Sequence, residues 1–513
     1  NRRFCKLIKD IVFDIFRFLK RKLYLKNNEL MKGKQKMSME YETVIGLEVH
    51  CQLKTKTKVW CSCNADYDNE VPNVSTCPIC TGQPGALPKL NEEVLNYAIK
   101  AALALDCEIN EESQFDRKNY FYPDSPKNYQ ITQYFKPYAE NGKLHIVTNS
   151  GKESEVGIER IQIEEDTAKS IHTASESLLN YNRASVPLIE IISKPEIKNA
   201  EEAYAYLNTL KDRLKYTKVS DVSMELGSLR CDANVSVRKK GETVLGTRTE
   251  TKNLNSFKAV VRAIEYETSR QIEVIENGGR VIQETRLWDE EQGVTRPMRS
   301  KEEAMDYRYF PEPDLPRVII SDERLEKVKK EMPEFADEKA KRFVGEYKLN
   351  EKEAATLAGE PELAEYYETM VKESGEPKLS ANWMLTEVLR VLKEKNIGIE
   401  KFSVSSGNIA KLITLIKTNV ISSKIAKEVF ELLLSEDKDP EIIVKEKGLI
   451  QITDNSEIEK IVEQVLEENQ QSVEDYKAGK SNALKYLVGQ AMRLSKGKAN
   501  PQMINELILK KLD

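Results

Sequence analysis

The chain has 513 residues, of which 40% are hydrophobic and 32% charged, and its formal net charge is −5. This length predicts about two to four domains with a sizeable core. Acids and bases nearly balance, so bulk charge is excluded as a basis for nucleic-acid binding, and such contacts must come from local basic patches. No apolar run approaches the ~20 residues of a membrane span, and we expect no membrane partner. Scattered cysteines outside one cluster fit a reducing, cytoplasmic location rather than a disulfide framework.

Residues 1–36 differ from the rest, because basic and apolar side chains interleave there as in a basic amphipathic helix. Such a helix is typical of a membrane-surface or targeting element. The chain starts with Asn1, however, and Met31, Met37 and Met39 precede the first strong strand signal. We therefore favour a non-native or disordered extension, produced by upstream in-frame translation.

Residues 44–53 alternate between apolar and polar side chains, which predicts a half-buried strand. Its polar face carries Glu48, His50 and Gln52. A carboxylate and an imidazole two residues apart are suited to hold a metal or to do acid–base chemistry. A solvated edge strand has the same pattern, so this segment alone leaves both interpretations open.

Four cysteines follow this strand in two close pairs, Cys61 with Cys63 and Cys77 with Cys80. The chain has only eight cysteines, and four of them fall within these 20 residues. Two close thiol pairs are the pattern of a closed tetrahedral zinc site. The sequence therefore predicts a structural zinc knuckle inserted in the first domain.

Residues 92–105 have helical apolar periodicity, with Asn91 as the predicted cap. The next segment, 115–130, is rich in tyrosine and in basic residues and is broken by prolines. Aromatic rings beside basic side chains suit nucleotide binding, but a tyrosine-rich loop packed on the core is the better interpretation from composition alone.

Three later segments, 160–166, 229–237 and 248–252, repeat the alternation of the first strand. Each has at least one carboxylate on its non-core face. Any one of them is more often an ordinary solvated sheet face than a site. If they belong to one sheet, their oxygen ligands together with a single histidine suit Mg²⁺ or Mn²⁺ better than zinc.

From about residue 317 the pattern changes to helices rich in Glu and Lys, with a candidate break near 405–407. Between Tyr476 and Asn505 the chain has no acidic residue but several lysines. A basic patch on a helical tail fits binding to a phosphate backbone, although a solvated lysine face explains it nearly as well.

Several ordered motifs in this chain resemble the B subunit of the bacterial aspartyl/glutamyl-tRNA amidotransferases. They are VIGLEVH at 44–50, FDRKNYFYPD at 115–124, EED at 164–166, GSLRCDANVS at 227–236, KNLNSF at 252–257 and DYRYFPEPDLP at 306–316. The resemblance covers roughly 41–513 and excludes 1–36. It implies an α+β protein: a catalytic core with a mixed or antiparallel sheet and the zinc knuckle at 41–316, an all-α domain at 317–410, and an all-α tRNA-binding tail at 411–513.

The resemblance also implies a two-step ligase reaction on misacylated Glu-tRNA(Gln) or Asp-tRNA(Asn). ATP phosphorylates the side-chain carboxylate of the tRNA-bound amino acid, and ammonia then displaces phosphate. The implied partners are the glutaminase (amidase) or A subunit and the small C subunit. The chain has no glycine-rich phosphate loop. Phosphate charge must therefore be met by Mg²⁺ and basic side chains.

Carried onto this sequence, the resemblance implies that Glu48, His50 and Glu164 form the core of the Mg²⁺ site. The strand face independently prefers Glu164 over Glu165. Further expected metal ligands are Glu225, Asp232 and Glu250. The expected catalytic residues are Glu48, His50, Glu164, Lys118 and Glu250. The basic residues expected to meet substrate or ATP phosphates are Lys118, Arg230 and Lys252. Relatives often have histidine where this chain has Gln162, which can donate a hydrogen bond but cannot titrate.

Two other classes of function compete with this interpretation. A zinc-stabilised RNA-binding adaptor without chemistry is disfavoured, because a cluster of acids would repel RNA. A zinc hydrolase is disfavoured because the three histidines, His50, His145 and His172, form no His-Glu-x-x-His or other open ligand set.

Overall fold

The computed structural model describes residues 40–512, apart from 68–69, 174, 299–306, 451–454, 481 and 496–498. The predicted extension at 1–36 lies outside these residues. The chain divides into two compact units, with the boundary between Pro333 and Glu334. Across the described residues, no helix combines the length and apolar character that crossing a bilayer requires.

A nine-stranded mixed sheet organises the first unit. Its strand order is β14-β13-β12-β11-β1-β10-β7-β6-β2, and all neighbours are antiparallel except β12 and β13. The small strands β15, β4 and β5 form a separate sheet, as do β16 with β3 and β8 with β9. The strands are β1 (Tyr41–Gln52), β2 (Glu108–Ile109), β3 (Glu112–Ser113), β4 (Asp116–Asn119), β5 (Tyr129–Thr132), β6 (Ala139–Val147), β7 (Glu153–Glu165), β8 (Lys169–His172), β9 (Ser177–Asn180), β10 (Pro187–Ser193), β11 (Leu229–Lys239), β12 (Thr249–Leu254), β13 (Thr285–Asp289), β14 (Val294–Pro297), β15 (Phe310–Pro311) and β16 (Val318–Ile319).

The core of this unit lies against one face of the sheet. Ile45, Leu47 and Val49 of β1 are at most 1% exposed, which confirms the predicted alternation. They belong to one buried cluster with residues of four helices, α1 (Glu92–Ala104), α2 (Ala200–Tyr216), α3 (Phe257–Glu276) and α4 (Asp322–Lys330). The Asn91 side chain accepts the backbone N–H of Glu93, so the predicted helix cap is confirmed. Because the helices bury one face of the sheet, the polar residues of the strands lie on the opposite face.

The described part of the second unit is helical. Its α-helices are α5 (Ala336–Tyr347), α6 (Glu351–Ala358), α7 (Pro361–Ser374), α8 (Pro377–Trp383), α9 (Leu389–Lys395), α10 (Ser406–Lys417), α11 (Ser423–Leu433), α12 (Pro440–Glu446), α13 (Asn455–Glu468), α14 (Gln470–Lys477), α15 (Asn482–Leu494) and α16 (Pro501–Leu512), with a π-helical turn at Met384–Val388.

Two buried clusters stabilise these helices. One runs from Phe343 to Val444 and includes the apolar side of α10, and the other runs from Ile458 to Leu512. The first cluster continues through residue 410, because Ile409 and Leu412 are fully buried in it. The domain boundaries predicted near 316 and 410 stay predictions. The structure divides the chain after Pro333, and within the second unit one buried cluster ends at Val444 and the next begins at Ile458.

Candidate active site and cysteine cluster

Five adjacent strands carry polar side chains on the face of the sheet away from the helices. In spatial order they are β12, β11, β1, β10 and β7. His50 on β1 pairs directly with Glu190 on β10 and with Arg230 on β11. Glu48 pairs with Asp232 in the same way. The segments that sequence reasoning singled out therefore share one sheet, which was the condition for a common site.

The tightest group of potential cation ligands on this face joins His50 to two carboxylates. The imidazole Nε2 lies 3.7 Å from Glu164 Oε2 and 3.5 Å from Glu190 Oε1. One donor atom from each of the three residues lies within 4.8 Å of the other two. The His50 side chain is 24% exposed and that of Glu164 only 2%. Solvent therefore reaches the group on its imidazole side.

Three neutral donors hold the Glu164 carboxylate in place. Thr132 Oγ1 donates to it at 2.7 Å, and the side-chain amides of Gln130 and Gln162 each donate at 3.1 Å. The Gln162 amide also donates to Glu190 and so links the two acids. Gln162 Oε1 is buried and has no hydrogen-bond partner in the described part of the chain. A buried oxygen without a donor suits a cation or its water shell, so these residues fit a hydrated Mg²⁺.

The charges in this group shift the pKa values of its members in different directions. Burial and the charge of Glu164 raise the pKa of Glu190 to about 7. Burial also opposes ionisation of Glu164, but the contact with His50 and the charge of Lys118 lower its pKa to about 2. Burial disfavours the imidazolium of His50, yet the two carboxylates raise its pKa above the usual value. Near neutral pH Glu164 is thus ionised while Glu190 titrates.

Lys118 reaches this group from β4, outside the large sheet. Its ammonium lies 5.0 Å from the centre of the Tyr307 ring. Burial lowers the pKa of Lys118, but the nearby Glu164 carboxylate more than offsets this and raises it. The positively charged Lys118 therefore lies near these acids, and a positive charge there favours an incoming phosphate.

The other predicted ligands form a second group, farther along the same face. Asn234 donates to Glu48 Oε1 at 2.8 Å, and Glu48 is not among the three residues that lie within 4.8 Å of one another. The ammonium of Lys252 lies 2.7 Å from Asp232 Oδ2 and 2.8 Å from Glu250 Oε1. Burial opposes the charge of Lys252, but these two acids raise its pKa. Asp232 and Glu250 therefore share one lysine, which offsets part of their combined charge.

A cavity of about 400 Å³ adjoins the second group. Its lining combines backbone at Gly46 and Gly246 with polar and charged side chains from β1, β11 and the loop that follows β11. The polar and charged side chains of the lining include those of Glu48, Asn234, Ser236 and Arg248. Arg248 and several neutral donors suit the phosphate of a small molecule, whereas Glu48 and Glu159 in the same lining would need a bound cation to offset their charge.

Two predicted residues occupy other positions. Arg230 donates to Asp166 Oδ2 at 2.8 Å, so its guanidinium is tied to an acid at the end of β7. Glu225 lies in an exposed turn before β11, and the structure does not bring it to the carboxylate group around His50. Glu165, next to Glu164, is not part of the group around His50 and accepts hydrogen bonds from Lys127 and Ser185.

The four predicted zinc ligands do come together. One sulfur from each of Cys61, Cys63, Cys77 and Cys80 lies within 4.8 Å of the others. Cys77 Sγ and Cys80 Sγ are 3.9 Å apart. Zn–S bonds of about 2.3 Å in a tetrahedron separate the sulfurs by about 3.8 Å, so these thiols fit zinc. The contact with Cys61 and the charge of Lys58 lower the pKa of Cys80 to about 5 despite its burial, whereas the contact with Cys80 raises the pKa of Cys61 and burial raises that of Cys63. Cys80 is therefore the member of the cluster that most readily forms the thiolate that binds metal.

Glu190 is the member of the site that sequence reasoning missed. It lies in β10, whose sequence PLIEIIS lacks polar alternation because the strand is buried on both faces. The available signal was a single acid inside an otherwise apolar run, since an unpaired carboxylate is rarely placed in a core.

The sheet gathers carboxylates, an imidazole and ammonium groups on one face and packs helices against the other. This is an α+β domain with a candidate catalytic face, and a helical unit follows it in the chain. Residues 43–326 match the family model described as the GatB/GatE catalytic domain, and residues 365–512 match the one described as the GatB domain. The chain therefore belongs to the GatB/GatE family, and the resemblance inferred from its motifs is confirmed.

Relatives with high identity support the assignment along almost the whole chain. The chain is 65% identical over 480 residues to the B subunit of the aspartyl/glutamyl-tRNA(Asn/Gln) amidotransferase of Fusobacterium nucleatum subsp. nucleatum, and the match covers 93% of this chain and 100% of that protein. It is 53% identical to the protein of the same name from Carboxydothermus hydrogenoformans, with 92% of this chain and 99% of that protein covered.

Proposed function

We propose that this chain is the kinase and transamidase subunit of a tRNA-dependent amidotransferase. The substrate is a tRNA that carries Glu or Asp in place of Gln or Asn. The side-chain carboxylate attacks the γ-phosphorus of ATP, which forms an acyl phosphate and releases ADP. Ammonia then attacks the acyl carbon, phosphate leaves, and the amide forms. The observation that carries the proposal is the group of His50, Glu164 and Glu190 below the charged Lys118, in a chain of this family.

The residues of the site have different proposed roles, which depend on their charges. His50, Glu164 and Glu190, with Glu48 nearby on β1, are the residues that would hold Mg²⁺. A Mg²⁺ bound there would neutralise phosphate oxygens, which is most of what phosphoryl transfer needs. Lys118 places a positive charge where the transferred phosphoryl group gains negative charge.

We place the nucleotide in the cavity beside Glu48, where Arg248 and neutral donors line the wall. Lys252 and Arg230 lie on the neighbouring strands and are the basic groups available to phosphates on that side of the sheet. Both are held by acids, Lys252 by Asp232 and Glu250 and Arg230 by Asp166, which orients their side chains before a substrate arrives. Glu250 acts in this proposal by positioning Lys252.

In this proposal, ammonia comes from a second polypeptide. Release of ammonia from glutamine needs an activated nucleophile such as a thiolate. Burial raises the pKa of both Cys51 and Cys107 to about 12, and it raises the pKa of Cys231 well above its usual value. These thiols stay protonated and inert near neutral pH. We therefore propose that the partner in the cytoplasm is an amidase polypeptide, joined by a small linking polypeptide.

The remaining features serve binding and stability. The basic segment that includes Lys477, Lys485 and Arg493 is proposed to contact the tRNA backbone. The four clustered cysteines are proposed to hold a structural Zn²⁺, since all four coordination positions would be filled by thiolates and none would be left for a substrate.

Amide formation from ammonium by the assembled enzyme tests the proposal. His50→Ala and Glu164→Ala should each lower turnover on the order of 10²–10³-fold, because each removes a ligand that supports transition-state charge. His145→Ala and Glu155→Ala are matched controls, since their side chains are 60% and 61% exposed on the neighbouring strands β6 and β7. Near-normal turnover of both site variants would refute the assignment of the site.

A further inference from the structure

The cysteine cluster has a buried lysine beside it that no part of the proposed reaction uses. Lys58 is 0% exposed. Its ammonium donates to Ser75 O at 2.8 Å, lies 3.5 Å from Tyr181 O, and lies 3.7 Å from Cys80 Sγ. A lysine ammonium has three N–H donors, so these three acceptors account for all of them.

The charge of Lys58 is not matched by a carboxylate. Among the described residues, no Asp or Glu oxygen lies within 4.0 Å of its nitrogen, the limit for an ion pair. A fully buried ammonium without an anion is strongly unfavourable. Two of its acceptors are neutral carbonyls. The third is a cysteine sulfur, so among these contacts the thiol cluster is the source of negative charge.

The charge of a zinc-loaded cluster is complementary to that of Lys58. Four thiolates around Zn²⁺ leave two negative charges in excess, and the cluster is itself partly buried. We propose that Lys58 is the outer-sphere cation of this metal site: its ammonium offsets thiolate charge at Cys80 and so sets the affinity of the cluster for zinc. The inference rests on the proposed zinc site and adds to it a residue that positions and neutralises a ligand.

The surroundings of Lys58 hold it in this position. Its backbone N–H donates to Cys63 O at 3.0 Å, so the residue is tied to both cysteine pairs. The acceptor Ser75 is fixed in turn by the buried Asn182, whose Oδ1 accepts the Ser75 backbone N–H at 2.9 Å. Movement of the ammonium away from Cys80 would therefore break a connected set of buried hydrogen bonds.

The test compares zinc release from the full chain in its wild-type, Lys58→Met and Lys58→Gln forms. Met keeps the length of the side chain without charge or donors, and Gln keeps donors without charge. Lys56→Met is the control, because Lys56 is an exposed lysine two residues away. Zinc bound per chain and its competition with a chromogenic chelator give the affinity. Loss of an outer-sphere partner typically weakens metal binding about 10–100-fold. We expect this loss of zinc affinity in Lys58→Met and Lys58→Gln but not in Lys56→Met.

Replacing zinc with Co²⁺ gives an absorption band whose wavelength should not change if Lys58 has only a structural role. Removing a cation from Cys80 raises the energy of its sulfur lone pairs, so the sulfur-to-Co²⁺ charge-transfer band should shift to longer wavelength in both variants. If Lys58→Met does not fold, Lys58→Gln decides the question.

Wild-type affinity in Lys58→Gln would overturn the charge argument, and wild-type affinity and an unshifted band in Lys58→Met would overturn the inference altogether. A wild-type chain without zinc would instead refute the zinc site itself, so the two failures are distinguishable.

Discussion

Replacement of Lys127 tests whether Glu165 has a structural role, in contrast to its neighbour Glu164 in the candidate metal site. Glu165 accepts hydrogen bonds from the Lys127 ammonium, from Ser185 Oγ at 2.7 Å and from the Ile131 backbone N–H at 2.9 Å. The side chains of Lys127 and Glu165 are only 9% and 4% exposed. Lys127→Met thus leaves a buried carboxylate without its cation. Breaking a buried pair in this way costs about 3–5 kcal/mol of unfolding free energy.

Thermal unfolding monitored by fluorescence measures this cost. At roughly 2 °C per kcal/mol for a unit of this size, the melting temperature of Lys127→Met should fall by about 6–10 °C. Lys136→Met is the matched control, because Lys136 and Glu112 form an exposed pair in the same region, with side chains 45% and 35% exposed. Such exposed pairs contribute about 0–1 kcal/mol. If Lys127→Met and Lys136→Met have the same melting temperature, the view that Glu165 is a buried structural anion is refuted.

Three further predictions concern the zinc site, the acid pair and the tail. Cys77→Ser should lower zinc content from about one per chain and reduce the melting temperature; unchanged values in metal analysis and calorimetry would exclude a structural zinc. The pKa of Glu190 rises from 4.5 to about 7 on folding, so the metal-free chain should lose up to about 3 kcal/mol of stability as pH rises through this window. Glu190→Gln should lack that loss in denaturant titrations, and identical pH slopes would contradict the pKa shift. Deletion from residue 455 onward, which spares the buried cluster that ends at Val444, should weaken tRNA binding and flatten the plot of log affinity against log salt; an unchanged slope would place the contact elsewhere.

Much of the site was predictable because alternation is a local property. On β1, β7 and β11 an apolar face alternates with a polar one, so the pattern alone placed Glu48, His50, Glu164 and Asp232 away from the core. The same rule correctly separated Glu164 from Glu165. Close spacing along the chain likewise predicted that the four cysteines meet.

The alternation of apolar and polar residues does not show the order of the strands in the sheet. Register across the sheet joins His50 to Glu190, 140 positions later, and no local signal encodes that pairing. β10 is central and buried on both faces, so its acid is hidden in an apolar run. Glu225 was included because the family resemblance implied it, but it lies in an exposed turn before β11.

The helical half shows a related limit. The break near 405–407 marks the start of α10, yet the apolar face of that helix is buried in the cluster that begins at Phe343. Polar residues between helices indicate a turn, but they do not show whether the next helix packs on the same core.

ATP hydrolysis by the assembled enzyme tests the central claim most directly. The enzyme is supplied with ATP, Mg²⁺ and ammonium, and ADP is measured with misacylated tRNA, with the same tRNA deacylated, or with neither. The account predicts that hydrolysis depends on the misacylated tRNA and yields about one ADP per amide formed, since the aminoacyl carboxylate is the phosphoryl acceptor. Equal hydrolysis with deacylated tRNA, or amide formation without ADP, would contradict it.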